Sequence, residues 1–165
     1  MSAELPISSA DTSAISDGAA FVTVFASGQM FGLPIGEVRD VFKPAAITRV
    51  PQSAGVIAGV LNLRGRIVTA ISMRSRLNMA PVGDDAPVMA VGVEQDDEFY
   101  GLLFDKVGDV LTLPLSSLAP NPANLAPAWV ALSRGVFRLK EELMIVLNVP
   151  EVLRIVQGAQ AIAKA

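Results

Sequence analysis

The sequence predicts a mainly β protein built from two related lobes, and three observations support this fold class. Short apolar segments typical of strands recur along the 165 residues, separated by Gly, Pro, Asn or Asp. Segments with a helical pattern are few and short. Two sequence patterns each occur twice and in the same order, which indicates an internal repeat.

The chain begins with a small, polar stretch, MSAELPISSADTSAISDG, which has no sustained apolar period. Such a composition does not bury enough apolar surface to offset the entropy of ordering the chain. We therefore predict a flexible leader at residues 1–19, a folded domain at residues 20–156 and a short tail at residues 157–165.

The first predicted element is a β-hairpin, with strands at residues 21–25 and 30–34 joined by a turn at Ser27 and Gly28. The remaining apolar segments predict the strands that complete the two lobes. They cover residues 60–63, 66–71, 88–93, 99–104, 110–113 and 143–149.

Three short helices are predicted at residues 53–58, at residues 72–77 with Ser72 as the N-cap, and after Val149 with Pro150 at the first helical position. In the last helix Val152, Leu153 and Val156 would share the buried face. The four prolines between residues 114 and 127 predict a long surface connection between the lobes, because proline donates no amide hydrogen to a sheet.

The internal repeat rests on two pairs of segments. GLPIGEVRDV at residues 32–41 matches GLLFDKVGDV at residues 101–110, and GVLNLR at residues 59–64 matches GVFRLK at residues 135–140. Two matches in one order favour two related β lobes over chance.

Composition excludes several classes of function. The 13 Lys and Arg against 16 Asp and Glu give a net charge of -3, which argues against a general nucleic-acid binder. The chain has no Cys and no His, so it lacks disulfides, thiolate metal sites and an imidazole base. It also lacks the common nucleotide-binding and hydrolase motifs. We expect no enzyme activity and no cofactor.

Charges are unevenly distributed along the chain. Seven basic residues and one acid, Asp40, lie between Arg39 and Arg76, whereas eight acids and one lysine lie between Leu77 and Val110. This predicts a basic side and an acidic side, which suits an adaptor held by two partners. An OB-like barrel that binds single-stranded nucleic acid through the basic segment is the alternative.

Four segments of the chain, covering about residues 20–156, resemble the CheW family of chemotaxis adaptors. They are FVTVFASGQMFGLPIGEVRDVFKP, VPQSAGVIAGVLNLRGRIVTAISMRSRL with its NLRG element, YGLLFDKVGDVLTLP and GVFRLKEELMIVLNVPEVL. The resemblance implies two SH3-like five-stranded β-barrel lobes with a few short helices.

The resemblance also implies partners and a location. A CheW-like adaptor couples transmembrane chemoreceptors to the histidine kinase CheA, with one lobe on the regulatory domain of CheA and the receptor tip in a groove between the lobes. We therefore expect a cytoplasmic protein recruited to receptor arrays at the inner face of the membrane. No apolar run is long enough to span that membrane.

The resemblance assigns site residues by position. Arg64 matches the family arginine and Asp40 the acid that pairs with it, which predicts an ion pair that shapes the receptor groove. Val38 and Gly59 match positions on the receptor side. Asn62 and Gly65 complete the NLRG element, where turn formation is an equally good explanation for both.

Overall fold

The computed structural model describes residues 18–44, 47–48, 56–63, 65–80 and 86–154. These residues form ten strands, with short helices between some of them. The strands are β1 (Gly18–Ala26), β2 (Gln29–Pro34), β3 (Val38–Phe42), β4 (Ile57–Leu63), β5 (Arg66–Ser72), β6 (Met89–Gln95), β7 (Glu98–Phe104), β8 (Lys106–Pro114), β9 (Ser133–Arg138) and β10 (Leu143–Leu147).

Two five-stranded sheets divide the strands between them. One sheet has the order β8-β1-β2-β10-β9, and we call it the terminal lobe because it includes the first and last strands. The other has the order β3-β6-β7-β5-β4 and forms the central lobe. The chain therefore leaves the terminal lobe after β2 and returns to it after β7.

The helical elements are short. Two 3-10 turns cover Ile35–Glu37 and Leu115–Ser117, and the α-helices are α1 (Met73–Arg76) and α2 (Pro127–Leu132). A third helix, α3, covers residues 149–154 of the described chain. Within the described residues, no helix is long and apolar enough to cross a membrane.

The two sheets repeat one topology. Each contains a central hairpin, β1–β2 or β6–β7, with an antiparallel edge strand beside it, β8 or β3. Each also contains one parallel pair, β2–β10 or β5–β7, followed by an antiparallel outer strand. The predicted internal repeat is confirmed. The first pair of matching segments covers the two crossovers between the lobes, and the second pair begins at equivalent strands, β4 and β9.

The two central hairpins turn in the same way. Ser27 and Gly28 have φ of 52° and 82°, and Asp96 and Asp97 have φ of 54° and 66°. Two consecutive residues with positive φ match the right-handed twist of the flanking strands. The hairpin predicted at residues 21–34 is confirmed, with its turn at the expected residues.

Apolar side chains form three clusters. The largest lies between the lobes, where Val24 and Phe31 from the terminal lobe join Val91 and Leu102 from the central lobe. A smaller cluster lies within each lobe, one including Phe137 and the other Leu61. Both faces of the central strands are therefore buried, which explains why β1 and β7 read as continuous apolar runs rather than alternating ones.

The predicted strands are all present, with bounds shifted by a few residues, whereas β3 and β9 were absent from the predicted set. Both are outer strands, and β3 alternates half-buried and exposed positions with charges at Arg39 and Asp40. A strand with one solvated face and two charges has a weak apolar signal. β1 begins at Gly18 rather than Ala20; most of the predicted leader and tail lies outside the described residues.

Of the predicted helices, one is confirmed, one is shifted and one is wrong in its described part. Ser72 caps α1 by accepting a hydrogen bond from the Ser75 amide at 3.2 Å. Asn148 caps α3, because its Oδ1 accepts from the Glu151 amide at 3.3 Å, so the helix begins one residue before Pro150. Both Val152 and Leu153 are buried as predicted; Val156 lies outside the described residues.

The helix predicted at residues 53–58 does not end at Ala58, because Ile57 and Ala58 belong to β4. Ile57 pairs with Ile71, and the Ser72 amide donates to the Val56 carbonyl at 2.8 Å, so tertiary pairing overrides the local helical pattern. Residues 53–55 of the predicted helix lie outside the described residues.

The proline-rich segment at residues 114–127 does not connect the lobes. It leaves β8 and leads through α2 to β9, and both strands belong to the terminal lobe. Ala119 forms a backbone bridge with Val136, and Trp129 of α2 donates from its indole nitrogen to the Leu77 carbonyl at 2.8 Å. The prediction was wrong because it had no information about which sheet β9 joins.

Candidate functional site

A cavity of about 300 Å³ opens on the central lobe where its two outer strands approach each other. β3 and β4 lie at opposite edges of the sheet, so the sheet curls until residues of both edges line one space. Polar and charged side chains share this lining with two apolar ones. The lining residues are Arg39, Asp40, Leu63, Arg66, Gly92 and Phe99.

The NLRG element forms the turn between β4 and β5 beside this cavity. The Asn62 side chain is exposed, and its Oδ1 accepts a hydrogen bond from the Gly65 amide at 2.8 Å. Gly65 has φ of +83°, which is a conformation that glycine adopts without a steric penalty. Asn62 and Gly65 therefore build the turn.

Asp40 lies half-buried on β3, directly after an irregularity in the pairing of β3 with β6. Its Oδ1 accepts from the Val41 amide at 2.9 Å, and its side chain lines the cavity together with Leu63. Arg64 lies outside the described residues, so the predicted Arg64–Asp40 ion pair stays a prediction. The structure does bring Asp40 and the residue preceding Arg64 to one cavity.

Val38 and Gly59 lie away from the cavity lining. Val38 is half-buried and packs against the cluster between the lobes. Gly59 is buried on β4 opposite Ala70, with φ of +150°. Both residues therefore contribute to the packing of β3 and β4. Their assignment to a partner-binding surface stays a prediction.

Two arginines of the cavity were not among the predicted site residues. The guanidinium carbon of Arg66 lies 4.1 Å from the centre of the Phe99 ring, which is a cation–π contact. Arg39 is held by Glu94 at 3.4 Å and by the Gly36 carbonyl at 2.9 Å. The basic run in the sequence contains both arginines, but only the pairing of strands shows which of its members face one space.

The predicted basic and acidic sides stay a prediction, and two ion pairs join the basic and acidic segments. Arg39 and Arg74 from the basic segment pair with Glu94 and Asp105 from the acidic segment. Arg39 on β3 lies beside Glu94 on the antiparallel strand β6, whereas Arg74 of α1 meets Asp105 at the crossover after β7. The two segments neutralise each other at these points.

A second polar cluster lies where the chain passes from β7 to β8. Asp105 Oδ1 accepts from Arg74 Nε at 2.9 Å, and Oδ2 accepts from Arg74 Nη2 at 2.7 Å and from the Ser27 amide at 2.8 Å. The Arg74 guanidinium, aided by the Ser27 amide, lowers the pKa of the Asp105 carboxyl against the opposing effect of its burial. The same hydrogen bonds raise the pKa of Arg74.

Arg76, two residues after Arg74 on the same short helix, binds to helix α3. Its Nε donates to the Val152 carbonyl at 3.2 Å and its Nη2 to the Glu151 carbonyl at 3.0 Å. Partial burial lowers the pKa of Arg76. The one-turn helix α1 therefore carries two arginines that join separate parts of the fold.

Among the residues that the structure describes, no group of three or more Asp and Glu side chains is arranged to hold a metal ion. The cavity contains an arginine stacked on a ring, a second arginine paired with a carboxylate, and a half-buried Asp40. Charged and aromatic groups of this kind are common in protein interfaces, where they contribute charge and shape complementarity.

Comparison with known proteins agrees with this architecture. The model of the CheW-like domain family matches residues 20–157. The chain belongs to the CheW-like family. This confirms the resemblance carried by the NLRG element and the other quoted segments, and the family is one of scaffold or adaptor proteins in chemotaxis.

Similar proteins cover most of the chain. The chemotaxis protein CheW of Helicobacter pylori is 24% identical over 134 residues, 81% of each chain. The chemotaxis protein CheW of Klebsiella aerogenes is 25% identical over 136 residues, 82% of each chain. The solved scaffolding protein TtCheW from Thermoanaerobacter tengcongensis has a TM-score of 0.73 at 24% identity, covering 82% of this chain and 92% of its own, which shows the shared fold.

Proposed function

We propose that this CheW-like chain is a non-enzymatic adaptor that couples chemoreceptors to the histidine kinase CheA. The observation that carries the proposal is the family match over residues 20–157, which includes both lobes. In this account one lobe docks on the regulatory domain of CheA, and the receptor tip enters the groove between the lobes. The adaptor acts in the cytoplasm, where receptor arrays recruit it.

The cavity on the central lobe supports a partner-binding role for the turn between β4 and β5. Ile67, directly after Arg66, keeps 66% of its surface exposed, the largest value among the exposed large hydrophobic residues of the described chain. The turn therefore offers apolar surface beside charged groups, a combination that protein interfaces use for binding and orientation.

We further propose that Arg64 pairs with Asp40 across the cavity. A partly buried carboxylate is stabilised by an arginine fork, and the adjacent Leu63 makes an unpaired arginine costly at this place. The pair would hold the edges β3 and β4 together and so shape the surface that the receptor tip meets.

Binary titrations with purified partners test the proposed function. The chain is titrated separately with the CheA regulatory domain and with a soluble fragment of the receptor signalling tip. We expect saturable binding to each at micromolar concentration. Absence of binding to both would overturn the proposal.

No contact in the described structure favours the nucleic-acid alternative. Phe99 is covered by Arg66, and Arg39 and Arg74 are engaged by carboxylates, so these groups do not form an open stacking and phosphate-binding surface. A fluorescent oligonucleotide titration without salt-dependent binding would close this alternative.

A further inference from the structure

Asp105 occupies the single position between β7 and β8, where the chain passes from the central lobe back to the terminal lobe. Its backbone amide donates to the Phe25 carbonyl at 2.8 Å. Its carboxylate binds the Arg74 guanidinium of α1 and the Ser27 amide of the β1–β2 turn. One side chain therefore holds together a crossover, a helix of the central lobe and a turn of the terminal lobe.

The contact between Asp105 and Arg74 has the geometry of a strong pair. Two parallel hydrogen bonds of 2.9 Å and 2.7 Å join the fork to the carboxylate, and only 17% of the arginine side chain and 31% of the aspartate side chain are exposed. The remaining nitrogen, Arg74 Nη1, donates to the Ala80 carbonyl at 2.7 Å. The arginine is thus fixed from two sides.

The equivalent crossover, between β2 and β3, is held much less firmly. In the internal repeat Gly36 stands where the second copy has Asp105, so no side chain is available there. Its neighbour Glu37 reaches Arg134 of β9 by one contact of 3.6 Å, and both side chains are partly exposed. Glu37 Oε1 is buried with no hydrogen-bond partner among the described residues.

This asymmetry assigns different roles to the two crossovers. We propose that Asp105 is a positioning residue that fixes the angle between the lobes. Any rotation of one lobe against the other is then centred on the β7–β8 crossover, and the more weakly held β2–β3 crossover changes its conformation. The proposal about lobe geometry stands on the contacts of Asp105. The expected effect on partner binding rests on the proposed function. A groove between the lobes changes shape with the lobe angle, whereas a surface on one lobe does not.

The lobe angle is measured directly with one spin label on each lobe. The chain has no cysteine, so Ile67→Cys and Val110→Cys, at positions with 66% and 51% exposure, give unique labels. Asp105→Asn keeps the size of the side chain and removes its charge. We expect a narrow distance distribution in the parent and a broader one in Asp105→Asn, measured well below the melting temperature of each.

Three further variants make this measurement specific. Glu151→Gln also removes a carboxylate, but its ion pair with Arg154 lies within one helix, so the distribution should stay narrow. Arg74→Gln should broaden the distribution as Asp105→Asn does. Arg74→Lys retains the charge but not the two parallel hydrogen bonds, so its distribution should be narrower than that of Arg74→Gln and broader than that of the parent. This pair of variants keeps the test decisive if Asp105→Asn does not fold.

Binding measurements with the two partners distinguish a change in lobe angle from a general loss of stability. If loosening leaves one tenth of molecules at the competent angle, affinity for the receptor-tip fragment falls about tenfold. In the proposed function the CheA regulatory domain contacts one lobe, so the affinity for it should change by less than about twofold. A distribution in Asp105→Asn as narrow as in the parent, or equal losses for both partners, would overturn the proposal. A parent that binds neither partner would instead refute the proposed function, while the distances still decide the pivot.

Discussion

At the scale of single residues, the turn of the β6–β7 hairpin holds a non-glycine residue in a left-handed backbone conformation, which destabilises the fold. Asp97 has φ of +66°, whereas the equivalent residue of the other hairpin is Gly28 with φ of +82°. We predict that Asp97→Gly raises the free energy of unfolding by about 0.5–1 kcal/mol, because glycine adopts this conformation without the Cβ penalty. Urea unfolding measures the change.

Two control variants isolate the backbone contribution in this turn. Asp97→Asn removes the same charge but keeps a side chain, so it should gain less than Asp97→Gly. Asp109→Gly, at an exposed strand position without positive φ, should destabilise the fold. If Asp97→Gly and Asp109→Gly changed stability alike, strain at Asp97 would be refuted.

The Asp105 carboxylate makes stability depend on pH. Its pKa is lowered in the folded chain, chiefly by hydrogen bonds from Arg74, so its contribution is present above the unfolded pKa of about 3.9 and is lost as pH falls through the folded value. We predict that Asp105→Asn costs about 1–3 kcal/mol at pH 7. Urea unfolding at pH 7 and in steps down to about pH 3 should show this difference shrinking below about pH 4. A difference independent of pH would contradict the assignment.

At the scale of elements, the turn between β4 and β5 can be compared with the turn between β1 and β2. Gly65 and Gly28 have φ of +83° and +82°, and a Cβ on either would meet no atom within 4 Å. Gly65→Ala and Gly28→Ala should therefore each lower the free energy of unfolding by about 1–2 kcal/mol. Only Gly65→Ala should also weaken binding to the partners.

The comparison of these two glycines separates turn stability from partner contact. Thermal melting measures the first, and titration with the receptor-tip fragment and the CheA regulatory domain measures the second. Equal melting shifts with equal binding would show that the NLRG turn serves the fold alone. Equal melting shifts with weaker binding only for Gly65→Ala are the expected result.

The proposed joining of β3 and β4 by Arg64 and Asp40 predicts a coupling between the two side chains. Arg64→Ala should destabilise the fold by about 1–4 kcal/mol and weaken assembly, because it removes the proposed cationic partner of a half-buried carboxylate. In a double-mutant cycle with Asp40→Ala, the two losses should be less than additive. Additive losses would mean that the residues do not interact.

At the scale of the whole molecule, the repeated sequence patterns predicted the architecture well. The segments at residues 32–41 and 101–110 correspond to the two crossovers, because each sheet combines the first two strands of one repeat unit with the last three strands of the other. The β1–β2 hairpin was predictable because its turn residues and flanking apolar runs are adjacent in sequence. Sequence patterns were sufficient to predict elements whose contacts join residues close together in the chain.

Long-range pairing was not predictable from these signals. β3 carries the adjacent charges Arg39 and Asp40 and is defined by its pairing with β6. The helix predicted up to Ala58 is replaced by the pairing of β4 with β5. Arg74 and Asp105 are far apart in sequence, and neither is in a motif that predicts their contact. For the candidate site, the sequence indicated Asp40 and the turn, whereas the cavity and the Arg66–Phe99 contact depend on curvature of the sheet.

The central claim is that this CheW-like chain couples receptor to kinase, and one reconstitution tests it most directly. Receptor-containing membranes and CheA are combined with and without the chain, and kinase autophosphorylation is measured together with co-sedimentation of the three components. The account predicts that the chain sediments with both partners and raises autophosphorylation. A chain that stays in the supernatant while autophosphorylation is unchanged would contradict it.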